Sequence, residues 1–106
     1  MINRYMRLIV MFDLPVVSES DKRKYIKFRS FLLDDGYIMM QYSVYSRICK
    51  NRDDANKHLI RLRMKSPKSG NIRALQVTEN QYENMEIIWG SKKFEENISD
   101  KNLVVF

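Results

Sequence analysis

The apolar and polar residues of the chain follow two kinds of pattern, one typical of strands and one typical of helices. Leu8–Phe12 is apolar at five successive positions, which predicts a strand with both faces buried at the centre of a sheet. Pro15 ends this strand, because proline cannot donate a hydrogen bond to a neighbouring strand. Strand-like patterns elsewhere predict further strands over 37–41, 43–49, 72–77 and 81–89, the first two forming a hairpin.

Two segments carry apolar residues at spacings of three and four, the period of a helix. Ser18 is a predicted N-cap for the first helix, and Gly36 is suited to the position just after its end. The second helix is predicted to begin after Asn51. Their apolar stripes are Tyr25, Phe28 and Leu32 in the first helix and Ala55, Leu59 and Leu62 in the second.

The resulting order, βαββαβ with extra strand material at the C-terminal end, predicts a ferredoxin-like α+β fold with two helices on one face of an antiparallel sheet. We expect this domain to span residues 1–91, with 92–106 as a tail or strand for contacts with a partner or a second copy. Because the helices cover one face only, the doubly apolar first strand predicts a homodimer through the sheet. The expected interface residues are Leu8, Val10, Phe12 and Tyr45.

The formal charge of +6 in 106 residues is unevenly distributed. Residues 1–78 hold the basic excess, whereas 79–106 hold six acidic and three basic side chains. This asymmetry favours a polyanionic partner for the basic part, although ordinary solvated surfaces would show the same residues. The candidate phosphate contacts are Arg23, Lys27, Lys57, Arg61, Arg63, Lys65, Lys68 and Arg73.

Composition excludes several kinds of site. Three well-separated glycines cannot form a glycine-rich nucleotide loop, and one cysteine with one histidine cannot form a Cys/His zinc site or a disulfide within the chain. No apolar run approaches the roughly 18 to 20 residues of a membrane span. With a free thiol and no export signal, the sequence predicts a cytoplasmic protein that binds any metal through oxygen ligands.

Asp13 is the carboxylate best placed for chemistry, because it follows the apolar strand where the strand meets solvent. A two-fold dimer would supply two such carboxylates to Mg²⁺, which prefers oxygen ligands and lowers the pKa of bound water. On spacing alone, however, the residues favour a structural role, in which the carboxylate accepts hydrogen bonds from nearby backbone amides before the proline. His58 lies beside the apolar stripe of the second helix and is expected to flank packing rather than act as a base.

The chain resembles the small CRISPR-associated adaptation protein family, the partner of the CRISPR integrase. The resemblance covers nearly the whole chain and lies in the order of its motifs rather than in any single one. Those motifs are Leu8–Pro15 with Asp13, a helix with Arg23, Lys24, Tyr25 and Phe28, then Gly36–Tyr37 and Gln41–Tyr45. Residues 72–82 and Ile88–Gly90 are similar to members from type II systems.

The resemblance implies a ferredoxin-like homodimer that bridges integrase dimers and binds the duplex DNA destined for integration. It also implies Asp13 as the Mg²⁺ ligand and catalytic residue of an endonuclease. Three functions therefore stay open at this point. They are a DNA-binding scaffold, which the single candidate ligand favours, a Mg²⁺-dependent nuclease, and a toxin-like metal-dependent endoribonuclease on the same fold.

Overall fold

A computed structural model describes residues 4–90, which fold into a four-stranded antiparallel sheet with helices. Its strand order is β2-β3-β1-β4, the ferredoxin-like arrangement predicted from the sequence. Residues 91–106 lie outside the described part, and with them the whole of the predicted tail, 92–106, including its strand. The elements are β1 (Met6–Asp13), α1 (Glu19–Asp34), β2 (Ile38–Gln41), β3 (Val44–Cys49), α2 (Arg52–Lys65), β4 (Asn71–Thr78) and α3 (Glu79–Glu83).

The first strand is central, as its apolar run predicts. β1 pairs with β3 on one side and with β4 on the other, both antiparallel. Leu8 and Val10 are fully buried beneath the helices, and Phe12 packs edge-on against Phe28 of α1. Burial of large apolar side chains contributes about 1.5–3 kcal/mol each, so this face supplies most of the core's stabilisation.

Helix α1 begins and ends where the sequence predicts, and α2 begins where it predicts. The Ser18 hydroxyl accepts a hydrogen bond from the backbone of Asp21, whose carboxylate accepts one from the backbone of Ser18. Asn51 caps α2 with its side-chain oxygen, which accepts a hydrogen bond from the backbone of Asp54. Gly36 follows α1 with a φ of +93°, a conformation that L side chains rarely adopt.

The predicted strand over 81–89 is wrong, because the chain turns into the short helix α3 directly after β4. The Thr78 hydroxyl accepts from the backbone of Gln81, and the Gln81 side chain accepts from the backbone of Thr78. This reciprocal cap favours a helix over the alternation that suggested a strand. No strand occurs after β4 within residues 4–90.

Helix α3 folds back against the face of the sheet that α1 and α2 leave open. The Arg7 guanidinium donates to both carboxylate oxygens of Glu79, at 2.6 and 3.2 Å, and lies 4.1 Å from the centre of the Tyr82 ring. Glu79 and Tyr82 are both buried. Part of the second face is therefore covered within the chain itself, which the sequence analysis did not anticipate.

Candidate functional site

Asp13 is the last residue of β1 and lies on the open face of the sheet. Side chains alternate along a strand, so Asp13 shares this face with Ile9 and Met11. Its side chain is exposed, and its carboxylate forms no hydrogen bond or ion pair within residues 4–90. The alternative of a carboxylate that satisfies nearby backbone amides therefore finds no support in the described structure.

The loop between α2 and β4 is held tightly against the backbone of Asp13. Gly70 has a φ of +61°, and a Cβ atom built on it would lie 2.1 Å from the Asp13 carbonyl oxygen. Any larger residue would push the loop and the strand end apart. Gly70 thus fixes the position of 66–70, with Lys68, beside the end of β1.

The described residues offer a metal ion only part of a site. No group of three or more His, Cys, Asp or Glu side chains capable of holding an ion occurs in residues 4–90. Mg²⁺ is commonly bound by one or two carboxylates together with waters and phosphate oxygens of the substrate. Asp13 fits that pattern as one oxygen donor, to which a second copy of the chain or a bound phosphate must add further ligands.

All eight candidate phosphate contacts have exposed side chains, but two of them are already engaged. Arg61 pairs with Asp35 at 2.8 Å and Lys57 with Asp54 at 3.3 Å. The other six form no ion pair within residues 4–90, so their charge faces solvent. They are Arg23 and Lys27 on α1, Arg63 and Lys65 on α2, Lys68 in the following loop and Arg73 on β4.

Arg73 differs from the other cations in its place on the sheet. It pairs with Met11 in the register of β1 and β4, while Asp13 pairs with Asn71. Arg73 and Asp13 therefore occupy the same open face, diagonally across two strands. This arrangement places one phosphate-binding candidate near the carboxylate, whereas those on α1 and α2 belong to the helical layer.

The four residues predicted for a dimer interface lie on the covered face, which corrects that assignment. Leu8 and Val10 are 0% exposed, Tyr45 1% and Phe12 7%, all within the core beneath the helices. The prediction treated the apolar run of β1 as a whole and did not ask which of its side chains would lie on each face of the sheet. The large apolar side chains that are exposed on the open face are instead Met11, Ile48 and Leu75, at 38%, 45% and 53%.

A partly buried polar cluster joins the end of α1 to α2. His58 Nδ1 lies 3.0 Å from one carboxylate oxygen of Asp35, while Arg61 donates to the other. The second ring nitrogen of His58 lies 3.5 Å from Asp54. We call these four residues the Asp35 cluster, and its hydrogen bonds satisfy His58, a role consistent with packing rather than catalysis.

Two carboxyl groups of this cluster have perturbed pKa values. Burial raises the pKa of Asp35, but hydrogen bonds and charge from Arg61 and His58 outweigh that effect, and the net shift is downward. The backbone amide of Lys50 donates to Asp54 and, with help from Lys57 and His58, lowers the pKa of that group. Asp54 lies four residues before His58 on α2, a spacing that places both on one face of the helix, whereas no local pattern indicated that the end of α1 would bring Asp35 to them.

Cys49 is buried and unsuited to nucleophilic chemistry. Desolvation raises the pKa of its thiol, which therefore stays protonated at neutral pH.

No helix within residues 4–90 is long and apolar enough to cross a membrane.

Fold and site together define a small ferredoxin-like α+β protein with an exposed carboxylate at one strand end and cations on several surfaces. Residues 6–85 match the family described as CRISPR associated protein Cas2. A protein of Acidovorax ebreus named CRISPR-associated endoribonuclease Cas2 is 50% identical over 86% of this chain and 89% of its own length. A protein of the same name in Lacticaseibacillus rhamnosus is 41% identical over 94% of this chain and the whole of its own length. Another, in Campylobacter jejuni, is 38% identical over 98% of this chain and 73% of its own length.

The chain therefore belongs to the Cas2 family of CRISPR systems. This membership confirms the resemblance that the motifs of the sequence indicated.

Proposed function

We propose that this protein acts in CRISPR adaptation as a homodimer that bridges integrase dimers, binds the duplex DNA to be integrated, and presents a Mg²⁺ site formed around Asp13. The observation that supports it most strongly is the exposed Asp13 carboxylate, without a partner in residues 4–90, on the same face as exposed apolar side chains. A structural carboxylate in such a position would be expected to have a hydrogen-bond partner.

The open face supplies the dimer contact in this proposal. Met11, Ile48 and Leu75 project from three adjacent strands and are 38–53% exposed. A second copy related by a two-fold axis would cover them with the same surface. Asp13 lies at one end of this face, so a two-fold axis that passes near that end would bring its two symmetry-related carboxylates towards each other.

Mg²⁺ is the proposed cofactor, with Asp13 of each copy as a ligand. When bound, the ion supplies an activated water and neutralises charge on a phosphodiester. The chain's own contribution is to hold the carboxylate at the end of a rigid strand, where Gly70 fixes the neighbouring loop. Arg73, on the same face, would position a phosphate without reading sequence.

Duplex DNA is the proposed nucleic acid, bound through its backbone. Six of the candidate cations have no intramolecular carboxylate partner within residues 4–90 and lie on α1, α2, the 66–70 loop and β4. Each phosphate that a cation neutralises releases counterions, so the affinity should fall steeply with added salt. The acidic stretch 79–106, most of it outside the described residues, is the proposed contact with the integrase.

A second candidate is an endoribonuclease, which the names of the three relatives favour. The two functions share Asp13 and differ in the nucleic acid and in the need for an integrase. They are separated by assaying spacer integration and RNA cleavage with the same Asp13→Asn variant.

The test uses the full chain with the integrase from the same source. We expect co-purification of the two proteins, integration of a duplex in vitro, and Mg²⁺-dependent cleavage that Asp13→Asn removes. Asp34→Asn is the matched control, because Asp34 is also exposed but lies at the end of α1. Failure to bind an integrase, with RNA cleavage retained in the wild type, would reject adaptation in favour of the endoribonuclease.

A further inference from the structure

A groove lies between the C-terminal half of α2 and the edge strand β4, and no side chain within residues 4–90 fills it. Its floor is apolar, formed by Leu59, Ile72 and Ala74. Arg63, Lys68 and Ser69 lie along its rim, and none of the described residues that line it is acidic.

The two rim cations are available to a ligand. Neither Arg63 nor Lys68 forms an ion pair within residues 4–90, whereas Arg61, two residues before Arg63, is held by Asp35. A groove with an apolar floor, two cations at its rim and no acidic lining is complementary to a flat apolar group that carries an anion. A nucleotide has this combination, with its base as the flat group and its phosphate as the anion.

The position of the groove relates it to Asp13. Gly70 is one of the residues that line the groove, and the same residue lies against the backbone of Asp13. A nucleic-acid strand that leaves the groove over Gly70 would pass the edge of the sheet beside the strand end that carries the carboxylate.

We infer that this groove binds one unpaired nucleotide of a nucleic-acid strand, with its base on Leu59, Ile72 and Ala74 and its phosphate on Arg63 and Lys68. The inference deepens the proposed function and rests on its nucleic-acid binding. The base must be unpaired, because a base within a duplex has its faces stacked and cannot reach an apolar floor. The ligand class is thus a single-stranded segment, such as the frayed or overhanging end of a duplex.

Ala74→Leu tests the floor without changing charge, since Ala74 is exposed and the larger side chain would occupy the groove. Binding of a fluorescein-labelled single-stranded oligonucleotide of about ten residues is measured by anisotropy, beside a blunt duplex of equal length. We expect Ala74→Leu to weaken single-strand binding about tenfold, the scale of one lost base contact, and to change duplex binding less than about twofold.

The rim is tested by Lys68→Glu and Arg63→Glu, with Lys24→Glu on α1 as the control of equal charge change. We expect each rim variant to weaken single-strand binding about tenfold or more and the control less than about threefold. Circular dichroism melting shows whether each variant is folded.

Equal weakening of single-strand and duplex binding by Ala74→Leu, or no weakening of either, would overturn the groove assignment while leaving the proposed function in place. A wild-type chain that binds neither oligonucleotide would overturn both. Rim variants that behave like Lys24→Glu would likewise reject the groove, since the phosphate would then lie elsewhere.

Discussion

Asp13 and Asp35 are both aspartates at the end of a regular element, yet the structure gives them opposite surroundings. The Asp35 carboxylate is 8% exposed and accepts hydrogen bonds from Arg61 and His58. The Asp13 carboxylate is exposed and has no such partner within residues 4–90. A carboxylate whose charge is satisfied internally contributes to stability, whereas one left to solvent is available to a ligand, and the two should respond to mutation in opposite ways.

The largest effect is expected for Asp13→Asn on metal-dependent cleavage. Loss of the anionic ligand should reduce the cleavage rate about 100-fold or more, because the ion is no longer held against the phosphate. The melting temperature should change by less than about 2 °C, since no hydrogen bond is lost and one exposed side chain replaces another. A cleavage assay with Mg²⁺ and a thermal melt of the same preparation measure both quantities.

The control for this variant is Asp34→Asn, which should keep both the rate and the melting temperature of the wild type. A large drop in melting temperature for Asp13→Asn would show that the carboxylate is structural, and would break the contrast with Asp35.

Dimer formation through the face that carries Asp13 is expected to be the next most sensitive property. Leu75→Glu places a charge among the exposed apolar side chains of this face, where burial of an unpaired carboxylate is unfavourable. The dissociation constant of the dimer should rise about tenfold or more. Light scattering over a concentration series measures the change.

Val17→Glu is the matched control, because Val17 is 88% exposed and precedes α1 rather than belonging to the sheet. If Leu75→Glu and Val17→Glu dimerise equally well, the open face is not the interface.

Asp35→Ala should lower stability where Asp13→Asn does not. It removes the acceptor of Arg61 and leaves the buried His58 with one fewer partner, a loss of about 1–3 kcal/mol in the free energy of unfolding. Urea denaturation measures this quantity, with the neighbouring Asp34→Ala as a control that should stay within about 0.5 kcal/mol of the wild type. Equal stability of the two variants would mean that the Asp35 cluster is dispensable.

The smallest effect is a dependence of stability on acid. The pKa values of Asp35 and Asp54 are lowered from 3.8 in the folded state, so the folded chain binds fewer protons than the unfolded one. The contribution of the two carboxylates to the free energy of unfolding is therefore fully present when the pH is above their unfolded-state pKa. It is lost as the pH falls through their lower folded-state pKa values, between about pH 5 and pH 2. Urea denaturation across this range should show a steeper loss for the wild type than for Asp35→Asn.

Three basic side chains contact the two carboxylates. His58 lies beside both, Arg61 pairs with Asp35, and Lys57 pairs with Asp54. An Asp35→Asn variant with the same acid profile as the wild type would show that the Asp35 cluster does not contribute to the pH dependence.

Most of the fold follows from local patterns in the sequence. Ser18, Asn51 and Gly36 mark helix ends by chemistry that acts within a few residues, and the apolar run of β1 marks the central strand. The short helix α3 was missed because the alternation of Met85, Ile87 and Trp89 suggested a strand. The reciprocal cap between Thr78 and Gln81 was the overlooked signal.

The candidate site was predictable only in part. Asp13 could be singled out because it follows an apolar strand, but its spacing favoured a carboxylate satisfied by backbone amides, and the sequence did not show that its side chain is left exposed. The Asp35 cluster and the contact of Gly70 with Asp13 depend on elements that meet only in the folded chain. The assignment of Leu8 and Val10 to an interface failed for a related reason, since an unbroken apolar run does not say which of its alternating sets the helices will cover.

The most direct test of the central claim, that Asp13 of two copies completes one metal site, is the stoichiometry of metal binding. Mn²⁺, used as a spectroscopic substitute for Mg²⁺, is titrated into the dimer and followed by electron paramagnetic resonance. We predict one ion for every two chains, and loss of that binding in Asp13→Asn but not in Asp34→Asn. One ion per chain, or binding unchanged in Asp13→Asn, would contradict the account.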